Sequence, residues 1–170
     1  LIDPFDGQFW SDIIKKEGIG TVTIILTHSH WDHTRGVVEF LNLNPETEIY
    51  VHQLESERGW DGPDTHQWSH PPFTFVNFSF GALSFEIHCT PGHTPGHITL
   101  IGHGVIISGD CLFLGRCGRT DLYGGNMYSM WKSQMHLHLR FEKLPINWII
   151  LPGHRYPCLL YTSPSPRDAT

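Results

Sequence analysis

The 170-residue sequence predicts an α/β fold, and three observations predict it. Short β-branched runs recur along the chain and alternate with segments of helical periodicity. Four of those runs end at a histidine or an aspartate, with glycine or proline letting the backbone turn sharply. The composition, 39% apolar and 16% charged, is that of an ordinary globular protein able to bury one core.

Taken in order, Gln8 to Glu17 is expected to form a short helix, with Trp10, Ile13 and Ile14 on one face and Gly18 ending it. Thr21-Val22-Thr23-Ile24-Ile25-Leu26 reads as a buried strand. His33 to Leu41 is expected to be a second helix, stopped before Asn44-Pro45, and Glu48 to His52 a strand. Residues 53 to 72 hold Glu55, Glu57, Arg58, Trp60, Asp61, His66, Trp68 and His70 among glycine and proline. That stretch is expected to be a long loop, and such loops in compact domains are often lids. Trp60 and Trp68 are accordingly candidate substrate-binding residues. Residues 73 to 89 read as two strands meeting near Gly81, and 98 to 108 as a hairpin turning at Gly102-His103-Gly104. Asn126 to Leu144 is the longest helix candidate. Its Met127, Met130, Trp131 and Met135 stand at helical spacing and are read as core packing.

The chemistry concentrates in Thr27-His28-Ser29-His30-Trp31-Asp32-His33, directly after the first strand. Three imidazoles and a carboxylate within six residues form a dense nitrogen/oxygen donor set for a divalent metal. Its partners follow in order. His93 sits in Thr90-Pro91-Gly92-His93-Thr94-Pro95-Gly96-His97, Asp110 caps Val105-Ile106-Ile107, and His154 follows Leu151-Pro152-Gly153. Each singly would be read as structural, but all of them at strand ends call for metal.

These motifs resemble the metallo-β-lactamase superfamily over roughly residues 1 to 156. The resemblance implies an αββα sandwich, two sheets between layers of helices. It also implies two divalent metal ions, with zinc expected and iron or manganese as alternatives. One would be held by His28, His30 and His93, the other by Asp32, His33 and His154, with Asp110 bridging. Asp32 and Asp110 are the catalytic candidates, orienting a metal-bound hydroxide and keeping the ions close.

Asp110 steers the expectation within the family, because true β-lactamases commonly carry Cys or Ser there. The stretch Gly115-Arg116-Cys117-Gly118-Arg119-Thr120-Asp121-Leu122-Tyr123-Gly124-Gly125 looks like a segment common to the glyoxalase II-like, persulfide dioxygenase-like and related hydrolase branches. Gly96-His97 looks more like glyoxalase II, the hydroxyacylglutathione hydrolase branch. The glutathione-carboxylate site of that branch is half matched, since Arg119 and Asp121 stand where Lys and Tyr are usual. Arg119 is the candidate for a substrate carboxylate. The expected function is hydrolysis of an acylglutathione-type thioester. A mononuclear iron persulfide dioxygenase using His28, His93 and Asp110 is the second reading, and a lactonase or β-lactamase the third.

The net charge of −6 argues against the nucleases of the superfamily, which need a basic track for phosphates. The expected partner is a small-molecule thioester, with no nucleic acid and no membrane. Of thirteen histidines, seven (His52, His66, His70, His88, His103, His136 and His138) lie outside the motifs and are read as surface or strand positions. The chain opens at Leu1-Ile2-Asp3-Pro4 without an initiator Met, so a first strand, and any signal peptide, is expected to precede it. Residues 158 to 168 back-translate, one codon per residue, into a transposase adapter used for sequencing libraries, so residues 158 to 170 are read as adapter-derived. The domain is therefore expected to span residues 1 to 157, incomplete, followed by a non-native tail. Cys89, Cys111 and Cys117 then remain, an odd number that suits free thiols and a cytoplasmic location.

Overall fold

A computed structural model describes residues 1–63, 66–154 and, by backbone, 158–159. The chain divides into two compact units, Leu1–Ser69 and His70–Thr170.

In the first unit, α1 spans Gly7–Glu17. The Asp6 side chain accepts from the Phe9 N–H at its start, and Gly18 closes it in the left-handed conformation (φ 66°). β1 (Thr23–Ile25) is followed by two short helices, α2 (Trp31–Thr34) and α3 (Val37–Leu43), rather than the one helix expected over His33 to Leu41. The break falls at Arg35-Gly36 because another segment crosses there. The Gly36 N–H donates to the Pro4 carbonyl at 2.9 Å, and a Cβ on Gly36 would lie 2.7 Å from that carbonyl and from Gly7 N. Only glycine allows so close an approach.

β2 (Glu48–His52) matches its expected bounds. Beyond it the expected long loop contains regular structure: α4 (Gln53–Arg58), stopped at Gly59, and β3 (His66–Trp68). The three strands pair in parallel, in the order β1-β2-β3, with Ile24 opposite Ile49 and Tyr50 opposite His66. Parallel neighbours need crossovers, which α2 and α3 supply for the first pair and α4 for the second. The core of this unit is Ile14, Ile24, Leu26, Val37, Phe40, Ile49 and Val51, with Trp60 packed against it. Trp68 lies beside Tyr50, ring centroids 5.2 Å apart.

The second unit is built on a six-stranded sheet. β4 (Phe75–Phe80), β5 (Leu83–Cys89), β6 (Ile98–Gly102) and β7 (Val105–Gly109) form an antiparallel meander. The turns fall at Gly81 and at Gly102-His103-Gly104, as the sequence predicts. α5 (Met127–Phe141) then carries the chain across to β8 (Ile149–Pro152), which pairs with β7 in parallel. β9 (Cys158–Leu159) adds antiparallel to β8. Of the tail expected at 158 to 170, only these two residues are described.

The core of the second unit is Ile101, Ile106, Cys111, Met130, Leu137 and Ile150. α5 therefore corrects the expected packing stripe. Met130 is buried, but Met127, Trp131 and Met135 are 67%, 56% and 43% exposed. The buried face is Met130, Ser133 and Leu137, at spacings of three and four, and Trp131 instead stacks on Tyr128. Cys89, Cys111 and Cys117 are free thiols. Among the described residues no helix is long and apolar enough to cross a membrane.

Candidate metal centre

All four motif positions stand where strands end. His28, His30, Asp32 and His33 occupy the turn after β1 and the start of α2, and His93 the loop after β5. Asp110 directly follows β7, and His154 lies two residues beyond β8. Ligands at the ends of hydrogen-bonded strands are held more accurately than ligands in free loops.

In the first unit a buried lattice of hydrogen bonds orients two of the imidazoles. The Asp3 carboxylate accepts from the Thr27 N–H (2.7 Å), from Thr27 Oγ1 (2.6 Å) and from His33 Nδ1 (2.7 Å). Because Thr27 Oγ1 gives its proton to Asp3, it accepts from His28 Nδ1 at 3.0 Å. Both rings thus carry their proton on Nδ1 and their lone pair on Nε2. Asp3, His28 and His33 bring donor atoms within 4.8 Å of one another. The Asp3 oxygens already serve Thr27 and His33, which makes Asp3 a support for the ligands rather than a ligand.

In the second unit the same device recurs. His93 Nδ1 donates to the Arg119 carbonyl at 2.7 Å, which leaves the lone pair on Nε2. His93 Nε2 and His154 Nε2 each lie 3.4 Å from Asp110 Oδ2, so two imidazoles converge on one carboxylate oxygen. His97 is wholly buried and accepts the Asp110 N–H on Nε2 at 3.0 Å. Its Nδ1–H must then donate to Thr90 Oγ1 (2.9 Å), which is also hydrogen-bonded to Thr99 Oγ1 (3.0 Å). His97 thereby holds the backbone at Asp110.

Helix α5 seats the His93 loop. Asn126 N–H donates to the Gly92 carbonyl, and Ser133 Oγ donates to that of Pro91 at 2.6 Å. A Cβ on Gly92 would lie 2.4 Å from Met130 Cα, and Gly92 also has φ +144°.

The substrate candidates are placed differently. The Arg119 side chain is exposed and forms a two-pronged ion pair with Asp121, both bonds 2.8 Å. That guanidinium beside it holds the Asp121 carboxyl down to about 2. What Arg119 gives the His93 ring is its backbone carbonyl. Trp60 is engaged with the core of the first unit, and Trp68 is part of a sheet.

The donor set fits a divalent cation. It consists of imidazoles and carboxylates, and three imidazoles are tied at Nδ1, which turns Nε2 toward a metal. Sequence reasoning missed Asp3, Thr27 and the Arg119 carbonyl, which orient the candidate ligands. Their signal is not local, since Asp3 meets Thr27 and His33 only through the fold.

The profile of the metallo-beta-lactamase superfamily matches residues 1–154. The chain is 31% identical over 164 residues to a hydroxyacylglutathione hydrolase of Tolumonas auensis, covering 92% of this chain and 57% of that protein. It is 30% identical to the Bacillus subtilis protein described as "Probable metallo-hydrolase YqgX", covering 91% of this chain and 78% of that one. It is also 29% identical to the mitochondrial persulfide dioxygenase ETHE1 of Bos taurus, covering 92% and 58%. The chain thus spans little more than half the length of the hydroxyacylglutathione hydrolase. Among solved structures, the BLEG-1 B3 metallo-beta-lactamase superposes with a TM-score of 0.76 at 26% identity, covering 94% of this chain and 82% of that one. A di-iron-bound form of TTHA1623 gives 0.74 at 27%, covering 94% and 83%. With its sheets matching those structures and its donors at the strand ends, the chain belongs to the metallo-β-lactamase superfamily, a family of metal-dependent hydrolases.

Proposed function

We propose that the chain holds two divalent metal ions and hydrolyses a thioester of the acylglutathione type. The observation that carries the reading is the tautomer-fixed donor set. His28, His33 and His93 are each oriented through Nδ1, while His154 and His93 converge on Asp110. His28, His30 and His93 would hold one ion, and Asp32, His33 and His154 the other, with Asp110 between them. Bound divalent ions supply a water whose pKa drops to about 7 and a Lewis acid for the acyl carbonyl.

The protein's own groups do the rest. Asp110, with its backbone fixed by His97, presents its Oδ2 to His93 and His154. Asp32 orients the nucleophile. A thiol leaving group has a pKa near 8.5 and departs as an anion, so no separate general acid is required. Arg119 can bind a substrate carboxylate by exchanging it for that of Asp121, since the pair is exposed. The 31% identity to a hydroxyacylglutathione hydrolase supports this substrate class.

The test is metal content together with thioester hydrolysis. Purified protein is expected to carry two metal ions per chain and to release thiol from an acylglutathione. Asp110→Ala should retain at most one ion and lose most of kcat. One iron per chain with O₂ consumption on a persulfide, and no thioester hydrolysis, would instead establish the dioxygenase reading that the Bos taurus relative brings to mind.

A further inference from the structure

His30 breaks the pattern of its neighbours. Nη2 of Arg58, the last residue of α4, stands 2.9 Å from His30 Nε2. A guanidinium has five N–H donors, no acceptor, and no accessible neutral form. His30 Nε2 must therefore accept, and its proton sits on Nδ1. That arrangement is incompatible with a neutral imidazole on a cation. Bound through Nε2, the ring has no lone pair left for Arg58. Bound through Nδ1, it carries a proton on Nε2 that meets the Arg58 N–H head-on.

We infer that Arg58 is a displaceable cation on His30, holding that ring until a divalent ion takes it and then withdrawing onto Glu55. This rests on the proposal above that His30 is a metal ligand. The landing site is already built. Arg58 Nη1 donates to Ser29 Oγ at 3.0 Å and lies 3.9 Å from Glu55 Oε2. Glu55 is wholly buried, and the same oxygen accepts the Ser29 N–H at 2.9 Å as well as the Ser29 hydroxyl. A buried carboxylate favours a cation closing onto it, and the 3.9 Å separation leaves room to close. Glu55 and Arg58 stand one helical turn apart on α4 and grip Ser29, the residue between His28 and His30. Together they are positioning residues, and Arg58 sets how readily the His-x-His turn accepts metal.

The experiment is zinc affinity of the apoprotein, read by competition with a chromogenic chelator. Arg58→Met should bind zinc roughly ten- to a hundredfold more tightly than the wild type, the scale of one charge-assisted hydrogen bond removed from the competing state. Arg58→Gln, a less disruptive replacement, should tighten binding in the same direction and serves if the Met variant does not fold. Glu55→Gln should weaken binding, because Arg58 loses its landing place, and that weakening should largely vanish in the Arg58→Met background. A merely structural role predicts the reverse, since a damaged turn lowers affinity in every variant and the losses add. Wild-type zinc binding with unchanged or weaker binding in both Arg58 variants would overturn this inference alone. A wild-type chain that binds no zinc, cobalt or iron would overturn the metal assignment as well.

Discussion

At the scale of single residues, the candidate ligands are oriented by groups outside the ligand set. Gly118 is the sharpest case. Its N–H donates to the Asp110 carbonyl at 2.9 Å, and a Cβ there would lie 2.2 Å from that oxygen and 3.0 Å from His93 Nδ1. The first contact is with backbone, so it cannot be relieved by a rotamer change. Gly118→Ala should push the 118–119 segment outward and carry the Arg119 carbonyl off the His93 ring. Loss of such an outer hydrogen bond typically costs about 10- to 100-fold in metal affinity. Chelator competition, with the apoprotein's Tm followed alongside, checks it, and unchanged affinity would refute the role given to Gly118. The candidate ligands His28, His30, Asp32 and His33 were legible in the sequence because their pattern is local, crowded into one turn. Their supports were not. Asp3 precedes Thr27 by 24 residues, and its contacts exist only once the two segments lie side by side.

At the scale of elements, periodicity located α5 but chose the wrong face. Met127, Met130, Trp131 and Met135 form a stripe of large apolar residues, yet the helix buries the strip through Met130, Ser133 and Leu137. Ser133 belongs there because its hydroxyl reaches the Pro91 carbonyl, a bond that hydropathy does not register. The two faces make opposite predictions. Leu137→Ala should destabilise by about 2–5 kcal/mol, as a cavity in a packed core does. Met135→Ser should stay within about 0.5 kcal/mol, as an exposed change does. Urea unfolding separates them, and equal losses would reverse the assignment of faces. The stretch from 53 to 72 was misjudged for a related reason. α4 is short, with His52 Nδ1 accepting from the Leu54 N–H, and β3 is a three-residue strand whose partners lie on β2. Neither is long enough to show its period, and the parallel pairing that stabilises β3 is not local.

At the scale of the whole molecule, acid stability is predicted to depend on a His/Glu/Arg cluster that joins β5 to α5. His88 is wholly buried and stacks on Phe75 at 4.9 Å. Its Nε2–H donates to Glu86 (2.9 Å), so its Nδ1 accepts from His136 Nε2 (2.8 Å), and Arg140 closes on Glu86 with bonds of 2.7 and 2.9 Å. Burial pushes the His88 imidazole down to about 4, and burial lowers His136 as well. Protonating His88 would convert its acceptor into a second donor facing His136. In the unfolded chain the same ring takes its proton near pH 6.5. Between that pH and about 4 the unfolded state binds more protons, so stability falls as the pH falls and gains nothing above neutrality. Arg140 holds the Glu86 carboxyl below the usual carboxylate range, which adds a loss of the same sign at lower pH. In apoprotein, where ligand release plays no part, the free energy of unfolding should drop between pH 7 and 4.5. His88→Gln, weaker at pH 7, should lose about 2 kcal/mol less over that interval. Parallel pH curves for the two proteins would mean that His88 charges freely in the folded state and that the β5–α5 junction is not what acid breaks.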